Sequence, residues 1–166
     1  MGVSTDAQLC YGVIPDEDEY GETFEEGESG LPWDTKESNG DIDHWWTYEI
    51  QGFKHSFEIY HNHDFIDGIR PPEDVVDKYY KELFDFRKIE PKLPVELVYH
   101  CSDNCPMLIL AIPGTIIRAY RGDAIEIDKI NSLDYDPDDR TALLDFCDKF
   151  GIKHGEPAWF LTSYWG

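Results

Sequence analysis

Basic residues are scarce in this chain, and their scarcity excludes two classes of partner. The 166 residues include 14 Lys or Arg against 35 Asp or Glu, which gives a formal net charge of −21. A surface with that charge repels nucleic acid and anionic lipid, and it attracts cations and basic proteins. We therefore expect no direct binding to nucleic acid and no binding to a membrane.

Long apolar runs, an export signal and a cysteine framework are also missing. No stretch approaches the roughly 20 apolar residues that a membrane-spanning helix needs, and the first residues lack the basic and apolar regions of a secretory signal. The four cysteines, at positions 10, 101, 105 and 147, are scattered. We expect them to be free thiols in a reducing cytoplasm.

Recognisable catalytic motifs are absent as well. The chain contains no GxSxG nucleophile elbow, no GxxxxGK[ST] phosphate loop and no dinucleotide-binding fingerprint. The Arg-Gly-Asp triplet at 121–123 is interpreted as a hairpin turn, because adhesion requires an exported protein. The sequence therefore predicts a protein that is not an enzyme and that needs no cofactor.

The chain does have enough apolar residues to fold. Hydrophobic residues make up 41% and aromatic residues 14% of the sequence, which disordered acidic chains lack. The length suits one compact domain over residues 1–166. Within it, residues 15–52 are predicted to form an acidic, loop-rich insertion between strands.

Periodicity predicts the secondary structure outside this insertion. Helices are expected at 73–88, after Pro71-Pro72, and at 137–150, where Asp136 can cap the helix and Gly151 can end it. Strands are expected at 7–14, 53–60, 95–101, 106–112, 115–120, 124–128 and 157–166. These elements predict an α+β fold: a mainly antiparallel β-sheet with two helices packed on it and a long acidic N-terminal loop.

The densest charge lies in the acidic run, defined here as residues 16–43. It holds twelve Asp or Glu and one basic residue, Lys36. Spaced carboxylates can imitate phosphates and occupy a basic groove of a nucleic-acid-binding protein, whereas a solvated loop that maintains solubility would need no partner. The candidate partner-binding residues are Asp16, Glu17, Asp18, Glu19, Glu22, Glu25, Glu26 and Glu28. A second cluster, Asp134, Asp136, Asp138 and Asp139, could extend this surface.

Metal binding is the main alternative for these residue types. His61, His63 and Asp64 could supply two imidazoles and a carboxylate to zinc or a non-haem metal, although an exposed turn explains the same pattern. Cys101 and Cys105 beside His100 lack the second matching pair of a zinc site. The acidic run also lacks the ligand register of a calcium-binding EF-hand.

Six short segments carry a resemblance: TDAQLCYG at 5–12, LPWD at 31–34, PVELV at 94–98, PMLILA at 106–111, LLDFC at 143–147 and SYWG at 163–166. Together they resemble a family of small acidic proteins of tailed bacteriophages and prophages. The resemblance covers most of the chain but brings no catalytic residues with it. It implies an accessory phage protein that acts in the host cytoplasm.

Together these observations predict an inhibitor of a bacterial defence system, of the anti-CRISPR or antirestriction type. Its partner would be a basic nucleic-acid-binding protein of the host, either a nuclease or a CRISPR effector. The alternatives are a metal-binding protein or enzyme, a virion or assembly protein, and a binder of small molecules through the aromatic C-terminus. A signalling nucleotide would be a poor ligand for so acidic a chain unless Arg118, Arg121 or Arg140 lined its pocket. A dimer is compatible with the sequence.

Overall fold

The computed structural model describes residues 5–16, 31–33, 42–54, 72–102, 105–126, 130 and 133–165. The chain packs as two compact units. The sheet unit combines Met1–Glu19 with Pro94–Gly166, and the helical unit is Tyr20–Leu93. The expectation of a single domain stays a prediction, because two compact units can belong to one domain.

Five strands and three α-helices make up the described structure. In chain order they are β1 (Thr5–Val13), α1 (Ile42–Trp45), α2 (Glu73–Arg87), β2 (Glu96–Ser102), β3 (Cys105–Ala111), β4 (Ile117–Ala119), α3 (Pro137–Phe150) and β5 (Ala158–Trp165). The predicted α+β class with a mainly antiparallel sheet is confirmed. Helix α1 and the π-helical turn Trp46–Ile50 that follows it were not predicted. Both lie in the segment that the sequence predicts to be a loop.

The sheet of the sheet unit closes on itself around β1. Along one side β1 pairs with β5, from Thr5 to Gly12. On its other side it pairs first with β4 and then, at Gly12 and Val13, with β3. β3 also pairs with β2, and β2 ends parallel to the last residues of β5. The strands β1, β3, β2 and β5 therefore form a ring in which each strand pairs with the next.

The inward side chains of this ring form an apolar core. Cys10, Val98, Ile109 and Ala111 have no exposed surface, and two partly buried residues, Ile116 and Phe160, pack against them. β3 was predicted to be central because it is apolar on both faces. The structure agrees, since β3 pairs on both sides and Ile109, Leu110 and Ala111 are all fully buried.

Polar side chains connect β1 with two other strands near Gln8. The side-chain amide of the buried Gln8 donates to the carbonyl oxygen of Tyr99 on β2 at 2.8 Å. Its own oxygen accepts from Arg118 Nε on β4 at 3.3 Å. Arg118 Nη2 in turn lies 2.7 Å from Glu96 Oε1. Gln8 thus satisfies its buried amide through two other strands, which avoids the cost of an unpaired polar group.

Two predicted strands differ from the structure. Residues 124–126 are not in a strand, and neither are Phe53 and Lys54, although the side chain of Phe53 is buried. The remaining residues of those two predictions, 55–60 and 127–128, lie outside the described residues. Pro113–Thr115 forms a 3-10 turn that delays β4, because the ring of Pro113 favours a turn over a continued strand.

Helix α2 forms where the sequence predicts it, but the set of side chains that it buries differs from the predicted one. The sequence predicts that Tyr80 and Phe84 lie inward with Tyr79 and Leu83, but Tyr80 is 50% exposed and Phe84 64% exposed. Phe86 packs against the small core of Phe53, Tyr79 and Leu83 instead. The predicted stripe spans a wider arc than one helix face can bury.

The buried thiols of the sheet unit predict a loss of stability at alkaline pH. Cys10 and Cys147 are free and fully buried, and burial raises the pKa of each from about 9 to about 11. The unfolded chain therefore ionises these thiols at lower pH than the folded chain does. Their contribution to the free energy of unfolding is intact below pH 9 and decreases as pH rises from about 9 to about 11.

Urea unfolding measured across this pH range tests the effect. The double variant Cys10→Ala, Cys147→Ala should lose this part of the pH dependence, although it is less stable than the parent at neutral pH. Parallel loss of stability in both proteins above pH 9 would show that other groups are responsible.

Candidate acidic site

The structure describes one member of the predicted partner-binding set. Asp16 is described and exposed. The other seven members of the set, Glu17, Asp18, Glu19, Glu22, Glu25, Glu26 and Glu28, lie outside the described residues. So do the metal candidates His61, His63 and Asp64. The site is therefore built from Asp16 and from the carboxylates that the fold brings near it.

Asp16 is held where the chain leaves the sheet. Pro15 forms an isolated antiparallel bridge with His154, and the backbone N–H of Asp16 donates to the carbonyl oxygen of Lys153 at 2.8 Å. These contacts fix the start of the acidic run beside the segment that follows α3. Lys153, which is 137 positions away in sequence, thus becomes a neighbour of Asp16.

The sequence around α3 explains where this helix begins and ends. Asp136 caps the helix by accepting from the backbone N–H of Asp138 at 2.9 Å, and Pro137 occupies the first turn. Gly151 ends the helix at φ 67, a left-handed conformation that costs glycine little. Both predicted ends of α3 are confirmed.

The outward side of α3 carries a row of carboxylates. Asp138, Asp145 and Asp148 are exposed and share one face of the helix, seven and three positions apart. The row is about 15 Å long, since each residue adds about 1.5 Å. We call these three residues the acidic face. The exposed Asp134, Asp136 and Asp139 lie at its N-terminal end, as the predicted second cluster.

An aromatic contact fixes the N-terminal end of α3 to the sheet. The ring of Tyr135 stacks on Tyr11 of β1, with centroids 4.0 Å apart. Arg140 donates a hydrogen bond to the Tyr11 side chain, and this bond raises the pKa of Arg140. Arg140 Nη2 also lies 3.9 Å from Glu156 Oε2. The hydrogen bond to Tyr11 also raises the pKa of Tyr135. These contacts hold the neighbouring carboxylates on an ordered support.

An open cleft of about 490 Å³ lies between Asp16 and the last turn of α3. Asp16 and Asp148 are among its lining residues, and so are the buried Cys147 and Ile152. The backbone N–H of Ile152 donates to the carbonyl oxygen of Cys147 at 2.9 Å, and this hydrogen bond fixes the backbone of the lining after α3. The exposed Lys153 and the partly buried His154 complete the lining.

The described residues of the sheet unit include twelve Asp or Glu and five Lys or Arg, whereas those of the helical unit include eight and six. Over the full sequence the two units are almost equally acidic, with seventeen acidic and six basic residues in the sheet unit and eighteen and eight in the helical unit. Lys149 and Lys153 are the basic residues closest in sequence to Asp148, so the carboxylates near the cleft are only partly neutralised.

Two further observations limit what the described residues can do. Within the described ranges, no three His, Cys, Asp or Glu side chains come together in a way that could hold a metal ion. Among the helices with described positions, none has the length and apolar character needed to cross a bilayer.

Sequence reasoning missed the cleft and two members of the acidic face. Asp145 and Asp148 stood out in no charge run, although their spacing on the predicted helix 137–150 could have placed them on its outward face. The cleft had no local signal, because it depends on the bridge between Pro15 and His154. Comparison with protein-family models, with curated proteins and with solved structures finds no match.

Proposed function

We propose that this chain is a phage-encoded inhibitor that binds a basic nucleic-acid-binding protein of the bacterial host, in the host cytoplasm. The acidic run and the acidic face would occupy the groove in which the target, a nuclease or a CRISPR effector, holds nucleic acid. The chain would act by binding alone and without catalysis. This places it with anti-CRISPR and antirestriction proteins in mode of action.

One observation carries this proposal. Asp16, where the acidic run begins, is held by backbone contacts next to the segment that follows Asp148. The run of twelve acids therefore begins beside the segment that follows α3. A target that meets this region encounters carboxylates from two distant parts of the chain.

The physical basis is the exchange of one anion for another. Lys and Arg side chains that normally hold phosphates can pair with carboxylates instead, and the bound counterions are released in the same way. The contacts are exposed and rim-like, so each pair contributes modestly. Affinity would come from their number and from fast, charge-steered association.

Affinity capture from a bacterial lysate tests this proposal. We expect the immobilised chain to retain a basic nucleic-acid-binding protein at low salt and to release it at high salt, because screening weakens exposed pairs. Retention that is independent of salt would contradict a charge-led mode of binding. Identification of the retained protein by mass spectrometry would give the target.

Two charge-matched variants show whether the location of the charge matters. One replaces Glu22, Glu25, Glu26 and Glu28 with glutamine. The other replaces Glu49, Asp74, Asp77 and Glu90, which lie outside the acidic run, with their amides, so both lose four negative charges. We expect about tenfold weaker capture for the first, as four pairs of about 0.3–0.5 kcal/mol each predict. Equal effects would assign the binding to net charge alone.

A further inference from the structure

The outward side of the sheet carries a ridge beside a groove. Successive side chains of a strand point to opposite faces, so Leu9 and its cross-strand neighbours lie on the face opposite the buried Cys10. The register forms a bulky row of three residues: Ile117, Leu9 and Leu161. About 7 Å further along the strands, it forms a small row of three residues: Ala119, Ala7 and Ser163. We call these two rows the neutral face.

The neutral face is the part of the outward side that the fold leaves uncovered. Further along β1, the outward side chain of Tyr11 is buried and Tyr135 stacks on it. In the bulky row, by contrast, Leu161 is 77% exposed and the other two members are partly exposed. Ser163 is exposed, and Trp165 beyond it on β5 is 44% exposed. Contiguous apolar surface of this kind marks an interaction site, whereas single exposed apolar residues do not.

The absence of charge indicates which partner this face fits. None of its six residues is charged, although charged residues make up 30% of the sequence. The charged residues of β1, β4 and β5 are Asp6 and Arg118, and both alternate with these positions and so belong to the opposite face. Two copies of a chain with a net charge of −21 repel each other. A second copy therefore approaches at the lowest cost where both surfaces are uncharged.

We propose that the neutral face binds the neutral face of a second copy of this chain. A two-fold axis that runs between the two rows, and parallel to them, places the bulky row of each copy over the small row of the other. The ridge of each copy then fills the groove of the other, and the two sheets lie about 10 Å apart. Leu161 of one copy would lie over Ser163 of the other. This inference goes beyond the proposed function and does not depend on it.

The size of the face predicts a weak dimer. Three strands and five residues of β1 span about 14 Å by about 17 Å, which is less than the roughly 800 Å² per partner that a standard interface buries. We expect a dissociation constant on the order of 0.1 mM. At the concentration of about 1–5 µM that is usual in unfolding experiments, the chain would be monomeric.

Sedimentation equilibrium of the full chain tests the dimer. Between about 5 µM and about 500 µM protein, the average mass should rise from that of the monomer toward that of the dimer. Added salt should strengthen the association, because it screens the repulsion between two acidic chains. A mass that stays monomeric at every protein and salt concentration would overturn the proposal.

Three variants locate the interface. Leu161→Ala should weaken the dimer about tenfold, since two-fold symmetry applies the loss of contact twice. Ile89→Ala is the matched control, because it removes as many carbon atoms from a side chain of the helical unit that is 79% exposed. It should leave the dissociation constant within about twofold of the parent's. Equal effects of these two variants would contradict an interface on the neutral face.

Ser163→Leu separates a ridge that fills a groove from general apolar adhesion. The added side chain makes the face more apolar but fills the small row, so we expect about tenfold weaker association. Stronger association of this variant would show that the packing of bulky row on small row is wrong. Circular dichroism verifies that each variant is folded, which the exposure of Leu161 and Ser163 in the single chain favours.

Salt dependence distinguishes this inference from the proposed function. Dimerisation should strengthen with salt, whereas capture of a basic host protein should weaken. A monomeric chain that still shows salt-sensitive capture would refute the dimer alone. A dimer without capture would refute the inhibitor proposal alone. If the chain is monomeric and Leu161→Ala lowers capture of the host protein, the occupant of the neutral face is that protein, and the proposal of a second copy is wrong.

Discussion

Gly12→Ala is expected to destabilise the sheet unit by about 3 kcal/mol or more, or to prevent its folding. Gly12 lies where β1 pairs with Ala111 of β3 and with Ala158 of β5. A Cβ atom at this position would lie 2.8 Å from the Cα of Ala111 and would overlap the carbonyl of Leu110. The obstructing atoms are backbone, so relief requires that β1 and β3 separate. The ring of strands would then open.

Urea unfolding followed by circular dichroism measures this effect. Gly114→Ala is the matched control, because nothing lies within 4 Å of the Cβ that it adds. We expect the control to unfold within about 0.5 kcal/mol of the parent. Similar midpoints for Gly12→Ala and Gly114→Ala would show that the contact between β1 and β3 is not needed for the fold.

Leu143→Ala is expected to cost about 2–5 kcal/mol in free energy of unfolding. Leu143 lies in the middle of α3 and has no exposed surface. Truncation removes buried apolar atoms and leaves a cavity, and both effects destabilise the folded state. Because α3 carries the acidic face and borders the cleft, unfolded molecules should not bind the partner. Apparent binding of this variant should therefore weaken near its unfolding midpoint, where a large share of the molecules is unfolded.

Leu161→Ala provides the contrast for Leu143→Ala. Leu161 is the same residue type in the middle of β5, but it is 77% exposed. Its truncation should change the free energy of unfolding by no more than about 0.5 kcal/mol. Comparable losses in the two variants would mean that Leu161 is covered in solution, and sedimentation would then test for a dimer.

The sequence predicted those elements whose signals are local. Asp136 and Pro137 lie at the start of α3 and Gly151 lies at its end, and these residues determine both ends without help from the rest of the chain. The terminal strand was also predicted, from the many aromatic residues of this segment, and it pairs with β1 over eight residues. In both cases short-range chemistry and the final packing favour the same structure.

The sequence could not predict features that join distant segments. Closure of the ring depends on Gly12 meeting Ala111, which is 99 positions away, and glycine alone does not indicate its partner. The buried face of α2 was predicted too wide, because Tyr80 and Phe84 are aromatic yet exposed. Lys88 Nζ lies 4.3 Å from the centroid of the Phe84 ring. Side-chain type alone did not show which aromatic residues the helical unit buries.

The candidate site likewise has one part that the sequence predicts and one part that it does not. The acidic run was visible as composition, and Asp16 is the member that the structure describes. Its proximity to the segment after Asp148 follows from the bridge of Pro15 and His154, which no local pattern encodes. The charge was therefore predictable from the sequence, whereas the cleft that gives the charge a shape was not.

Competition for the target's nucleic acid tests the central claim most directly. The captured host protein would be loaded with a labelled strand that it binds, and this chain would be titrated in at about 0.05 M and about 0.5 M salt. The account predicts that the strand is displaced in proportion to bound inhibitor at low salt, and that displacement is largely lost at high salt. Binding of the chain while the strand stays in place, or with equal affinity at both salt concentrations, would contradict it.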